Sequence, residues 1–120
     1  MSKVYDDPTM SSFNAYLAMY KRNAANRGYE FLLTTEQFRE LTKLPCVYCG
    51  SPPANKYLHT KKCRSPYVCN GVDRLDNKLG YTVENSAPCC RRCNYLKQDH
   101  SYSDFVSAIV SIYNHVKRVL

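Results

Sequence analysis

The sequence predicts a small α+β fold, a short β-ribbon and helix stapled by cysteines, with further helices flanking that core on both sides. Three observations carry the prediction. Two Cys-x-x-Cys knuckles, Cys46-Val47-Tyr48-Cys49 and Cys90-Arg91-Arg92-Cys93, stand well apart in the chain. Apolar residues recur at three- and four-residue steps near both ends, which is the helical period. Between them, residues 45–70 hold Pro45, Pro52, Pro53 and Pro66, which exclude long helices and leave short extended pieces. At 120 residues there is room for one domain with a core small enough to need a staple. Two thiolate pairs, each able to bite the same ion, complete a tetrahedral zinc site from Cys46, Cys49, Cys90 and Cys93.

The elements follow in order. Residues 1–10 lack periodicity and read as a loose N-terminus. Ser11 or Ser12 can cap a helix running to about Arg27, where Gly28 stops it; Phe13, Tyr16, Leu17 and Tyr20 form its inward face. Thr34 and Gln37 make a capping box for a second helix, with Phe38 and Leu41 as its core face and Pro45 closing it. This helical segment, 11–44, leads into a core over 45–100. Within that core Val68 to Leu75 suits one strand and Asn77 to Gly80 a turn. Asn85 or Ser86 is expected to begin a helix that carries the second knuckle to about Lys97. A last helix over 101–120 starts at Ser101 or Ser103, and its buried stripe is expected to be Phe105, Ala108, Ile109, Ile112, Val116 and Val119.

Composition narrows the class. Seven cysteines is an odd count, no apolar run reaches membrane-spanning length, and the N-terminal MSKVYDDP is not a signal peptide. Reduced cysteines in a cytoplasmic or nuclear compartment therefore fit better than a secreted disulfide framework. Seventeen Lys and Arg against ten Asp and Glu favour a polyanionic partner. The basic clusters Lys61, Lys62 and Arg64, then Arg91, Arg92 and Lys97, are the candidate phosphate contacts. His59, Cys63, Cys69 and Cys89 leave a second, Cys₃His zinc site open. The alternative is that Cys69 and Cys89 are small buried hydrophobes and Cys63 a free thiol.

The functional signal lies between the knuckles. Asp73, in Gly71-Val72-Asp73-Arg74-Leu75-Asp76-Asn77, and Asn94, beside the last cysteine, are hard oxygen donors unsuited to the sulfur site but suited to a Mg-like ion. The strings GVDRLDN, GYTVEN and PCCRRCNYLK resemble the HNH (ββα-metal) endonuclease family, in a variant where the usual Asp-His becomes Asp-Arg. The likeness spans about Cys46 to Ser103 and is strongest to rare-cutting restriction enzymes and to small proteins of phages and large DNA viruses. In a viral protein the compartment would be the host cell's.

That resemblance implies roles position by position. Asp73 and Asn94 would hold one catalytic Mg²⁺ or Mn²⁺, and Asn85 would brace the loop between the strands. Arg74 stands where most members carry the water-activating histidine. A guanidinium stays protonated, so Arg74 is expected to hold the scissile phosphate instead. The base is then sought among His59, Tyr67, Tyr81 and His100, with His59 first and Tyr67 next, or is no protein group at all. The implied activity is a DNA endonuclease with a homing, restriction-like or nicking role, its homodimerisation left open. The competing class is a catalytically inert, zinc-stapled nucleic-acid-binding module. A cysteine redox protein fits worse, because the cysteines are better explained as zinc ligands.

Overall fold

The computed structural model describes residues 7–60 and 65–120. Helix α1 (Met10–Asn26) is led in by Asp7, whose carboxylate accepts the Thr9 N–H at 2.9 Å and the Thr9 hydroxyl at 2.7 Å. Thr9 is the N-cap residue, two or three residues before the serines the sequence suggests, and its own side chain makes no capping bond. Ser12 is fully buried and its hydroxyl donates to the Ser65 carbonyl at 3.1 Å. At the other end Gly28 takes φ +79°, and the Tyr29 and Gly28 N–H groups return to the Ala24 and Ala25 carbonyls. That double return is the glycine-closed Schellman turn. Helix α2 (Thr35–Thr42) begins with the expected reciprocal cap: Gln37 N–H donates to the Thr34 hydroxyl, and Thr34 N–H to the Gln37 side chain.

Strands β1 (Asn55–Tyr57) and β2 (Tyr67–Cys69) pair antiparallel; β3 (Gly71–Arg74) and β4 (Ser86–Cys89) form a separate antiparallel pair. The single strand expected over Val68–Leu75 is thus two, broken at Asn70. The buried Asn70 amide donates to the Leu44 and Ser51 carbonyls, and its N–H to the Thr42 carbonyl. These bonds draw the backbone out of one ladder and start the next.

The helix expected from Asn85 or Ser86 is also corrected. Ser86–Cys89 is strand, in register opposite Arg74–Gly71, and α3 (Arg91–Lys97) begins only after it. Pro88 has no N–H to give a helix but is tolerated in a two-stranded pair, and the Cys90 sulfur accepts the Cys93 N–H as the helix cap.

The main core is aromatic. Phe13, Tyr16, Phe38 and Tyr67 pack with Leu17, Leu33, Cys69 and Val72. Phe13 meets Tyr67 edge-on at 5.0 Å and Tyr20 meets Phe38 at 5.2 Å, geometries that add to their area burial. Tyr16 and Tyr20 thus belong to the core packing of α1. Helix α4 (Tyr102–Val119) is capped by Ser101, whose hydroxyl accepts the Asp104 N–H. Phe105 is buried, edge-on to Tyr48 at 5.1 Å. The rest of the expected stripe is exposed: among the described residues no element covers Ala108, Ile109, Ile112, Val116 and Val119, and the molecule extends 60 × 32 × 24 Å. Periodicity marks an apolar face but does not say what covers it.

Candidate metal centre and cleft

The first knuckle turns tightly because Gly50, at φ +76°, lets its N–H return to the Cys46 carbonyl at 2.9 Å. Val47 N–H donates to the Pro88 carbonyl at 2.8 Å, tying this knuckle to β4 and so to the second one. The sulfurs of Cys46, Cys49, Cys90 and Cys93 all lie within 4.8 Å of one another, and those of Cys49 and Cys90 are 3.7 Å apart. Four thiolates about 2.3 Å from a tetrahedral zinc would sit about 3.8 Å from each other. The donor set and its spacing fit zinc. A hydrogen bond with the Ser51 hydroxyl pulls the Cys49 thiol down to about 5, toward the thiolate that a metal takes.

The other two described cysteines are not part of this four-sulfur group. Cys69 is fully buried among the aromatics, Cys89 is buried against Cys46 and Cys93, and burial raises both thiols. His59 is on another face, its Nδ1 at 3.1 Å from the Ser11 hydroxyl. Cys63, like Lys61, Lys62 and Arg64, lies outside the described residues. Among those described, the four knuckle cysteines are the one metal-competent group of three or more His, Cys, Asp or Glu.

A cleft of about 500 Å³ opens where β3, α3 and α1 meet. Asp73 enters it from β3 and Asn94 from α3. Asp73 is buried, its Oδ1 accepting from Lys97 Nζ at 3.2 Å and its Oδ2 from the Tyr48 hydroxyl at 2.6 Å. Lys97 is completely buried and also donates to the Arg74 carbonyl at 3.2 Å. Burial, then the bond to Asp73, pushes the Tyr48 hydroxyl up, so Tyr48 is a donor here. Each Asp73 oxygen keeps a lone-pair direction, and Asn94 is exposed toward the same space. Two hard donors suit a divalent cation that retains water ligands.

Arg74 is held rather than free. Its Nη1 donates to the carbonyls of Asn77 at 2.6 Å and Leu79 at 2.9 Å, and its guanidinium lies 3.7 Å from the Tyr29 ring centre. Asn85 closes the same loop: its Oδ1 accepts the Asp76 N–H, and its Nδ2 donates to the Asp76 and Gly80 carbonyls. Gly80 is needed there, since a Cβ would come within 2.5 Å of the Glu30 carbonyl oxygen.

The remaining sequence candidates scatter. Of His59, Tyr67, Tyr81 and His100, Tyr81 alone lines the cleft. Tyr67 is in the core, its hydroxyl 2.7 Å from that of Thr42, while His100 borders the groove between α3 and α4. Arg91 and Arg92 line other cavities, and Lys97 turns inward to Asp73. Sequence reasoning missed three things: Tyr48 as a partner of Asp73, Lys97 as its counter-ion, and the α1 wall of Asn23 and Arg27. Lys97 falls four residues after the buried Cys93, a spacing that marks the inward face of α3. Tyr48 carries no such signal.

No protein-family model matches the chain. The uncharacterized protein R423 of Acanthamoeba polyphaga mimivirus is 36% identical over 103 residues, covering 86% of this chain and 17% of that protein. The chain thus spans under a fifth of the length of that curated relative. Among solved structures, the rare-cutting HNH restriction endonuclease PacI superposes with a TM-score of 0.54 at 24% identity, over 84% of this chain and 78% of that one. The fold is HNH-like. The cysteine cluster could hold a structural metal such as zinc, and the β3–β4 ribbon with α3 faces the cleft.

Proposed function

We propose that this chain is a divalent-metal-dependent endonuclease of HNH type that hydrolyses phosphodiester bonds in DNA. The observation that carries the reading is the convergence of Asp73 and Asn94 on one cleft, within a fold shared with an HNH endonuclease. Mg²⁺ or Mn²⁺ held by these two residues would supply Lewis acidity for the phosphate and for the leaving 3′ oxygen. The protein's own contribution is positioning. Lys97 and Tyr48 each hold one oxygen of the Asp73 carboxylate, and each oxygen keeps a second lone pair for a metal ion. Asn85 and Arg74 hold the 75–80 loop, and Arg74 keeps a permanent positive charge on the cleft wall. None of the three histidines lines the cleft, so the attacking water would lose its proton to solvent or through Tyr81.

A second copy of the chain is the proposed partner for α4. Its apolar stripe is exposed, Asp104 lies in its first turn, and Lys117 and Arg118 lie in its last. Antiparallel pairing of two such helices sets opposite charges against each other at both ends and buries the stripe.

One observation favours the inert binding module: both Asp73 oxygens already accept a hydrogen bond. Plasmid cleavage separates the two. Wild-type protein is expected to nick supercoiled DNA with Mg²⁺ or Mn²⁺ and Asn94→Ala to lose at least about 100-fold of that activity, the loss of roughly 3 kcal/mol of transition-state stabilisation. Folded, zinc-loaded wild type that binds DNA and never nicks it would leave the binding module.

A further inference from the structure

We infer that the C-terminal end of α1 is the second wall of a phosphate-backbone site, with Arg27 as its free cationic contact; this rests on the nucleic-acid reading above. The HNH-like motifs begin only at Cys46, yet Asn23 and Arg27 line the same cleft as Asp73 and Asn94. Their four-residue spacing puts both on one side of the helix. The Schellman turn at Gly28 then folds Tyr29 back, with the Arg74 guanidinium 3.7 Å and the Arg27 guanidinium 5.4 Å from its ring centre. One half-buried ring therefore spaces two guanidinium groups along the cleft edge.

The two are not equivalent. Arg74 has spent Nη1 on two loop carbonyls, whereas Arg27 is exposed and makes no ion pair among the described residues. Of the cleft's acids, Asp73 is neutralised by Lys97, and Asp99 is the carboxylate left facing the space. A chain of phosphodiesters running past Asp73 and Asn94 would meet Arg27 on the opposite side, away from the reacting bond. The role is binding and register, read at the backbone and not at the bases.

The test is the binding of a fluorescein-labelled mixed-sequence DNA duplex by zinc-loaded protein, without added divalent ion, from about 50 to about 200 mM salt. Arg27→Ala should bind about 3- to 10-fold more weakly and lower the log–log salt slope by about one phosphate contact, while Arg27→Lys keeps the slope. Arg22→Ala, an equal charge loss on the same helix outside the cleft, should stay within about twofold of wild type. An Arg27→Ala protein with wild-type affinity and slope, or an Arg22→Ala protein that loses as much, overturns the inference. Plasmid cleavage by wild type is read in parallel. Cleavage with no Arg27 effect removes this wall and leaves the nuclease; an Arg27 effect without cleavage keeps the wall and removes the nuclease.

Discussion

Lys97 is the residue whose removal should reveal most about how the cleft is held. Its ammonium is completely buried and meets Asp73 Oδ1 at 3.2 Å. At an effective dielectric of about 20, charges at that distance attract by about 5 kcal/mol, before desolvation is subtracted. Lys97→Met keeps the packing of the stem but strands a buried carboxylate. Stranding one member of a buried pair costs roughly 3–5 kcal/mol. Tyr48 still donates to the other Asp73 oxygen, so the loss should fall at the lower end, about 3 kcal/mol. Asp73→Asn should cost a similar amount by stranding Lys97. The double variant should recover about 2 kcal/mol of the summed losses, because neither charge is then left alone. Urea denaturation of the zinc-loaded protein, followed by tyrosine fluorescence and circular dichroism, measures all three. A Lys97→Met protein within about 0.5 kcal/mol of wild type, the range of a surface change, would refute the argument. It would return Lys97 to the surface role its sequence suggests, where its loss weakens DNA binding and spares stability.

Two further outcomes follow from the same geometry. A tight chelator that removes zinc should unfold the knuckles and loosen β4 and α3 together, since Val47 is tied to Pro88 and Cys90 caps α3; loss of helical circular dichroism, restored by zinc, checks this. Ile112→Glu, in the exposed α4 stripe, should convert a dimer to monomer with the thermal midpoint of the monomer unchanged, as sedimentation equilibrium would show; monomeric wild type at micromolar concentration would remove the α4 pairing.

Much of the local structure was legible because it depends on residues close in the chain. The Thr34–Gln37 capping box and the Gly28 stop of α1 are satisfied by neighbours within five residues. The strand that became two shows the limit. Nothing local to Val68–Leu75 says that Asn70 will be drawn out by carbonyls at Leu44 and Ser51. The helix expected at Asn85 failed for the same reason: Ser86–Cys89 is held as strand by its ladder with Gly71–Arg74, a partner distant in sequence. Both errors came from long-range hydrogen bonds overriding a local signal.

By itself, the sequence determined the ingredients: four cysteines with ligand spacing, two hard oxygen donors beside them, amphipathic helices and a surplus of positive charge. Those are properties of residue type and spacing, which the chain carries before it folds. Tertiary structure alone decided which of them share a space. It brought Asn23 and Arg27 to face Asp73 and sent His59 and Tyr67 elsewhere. It also turned Lys97 from a surface cation into a buried counter-ion. The physical reason is burial. A charge excluded from water must find an opposite charge or hydrogen-bond donors in whatever the fold places beside it, and that neighbour is set by packing.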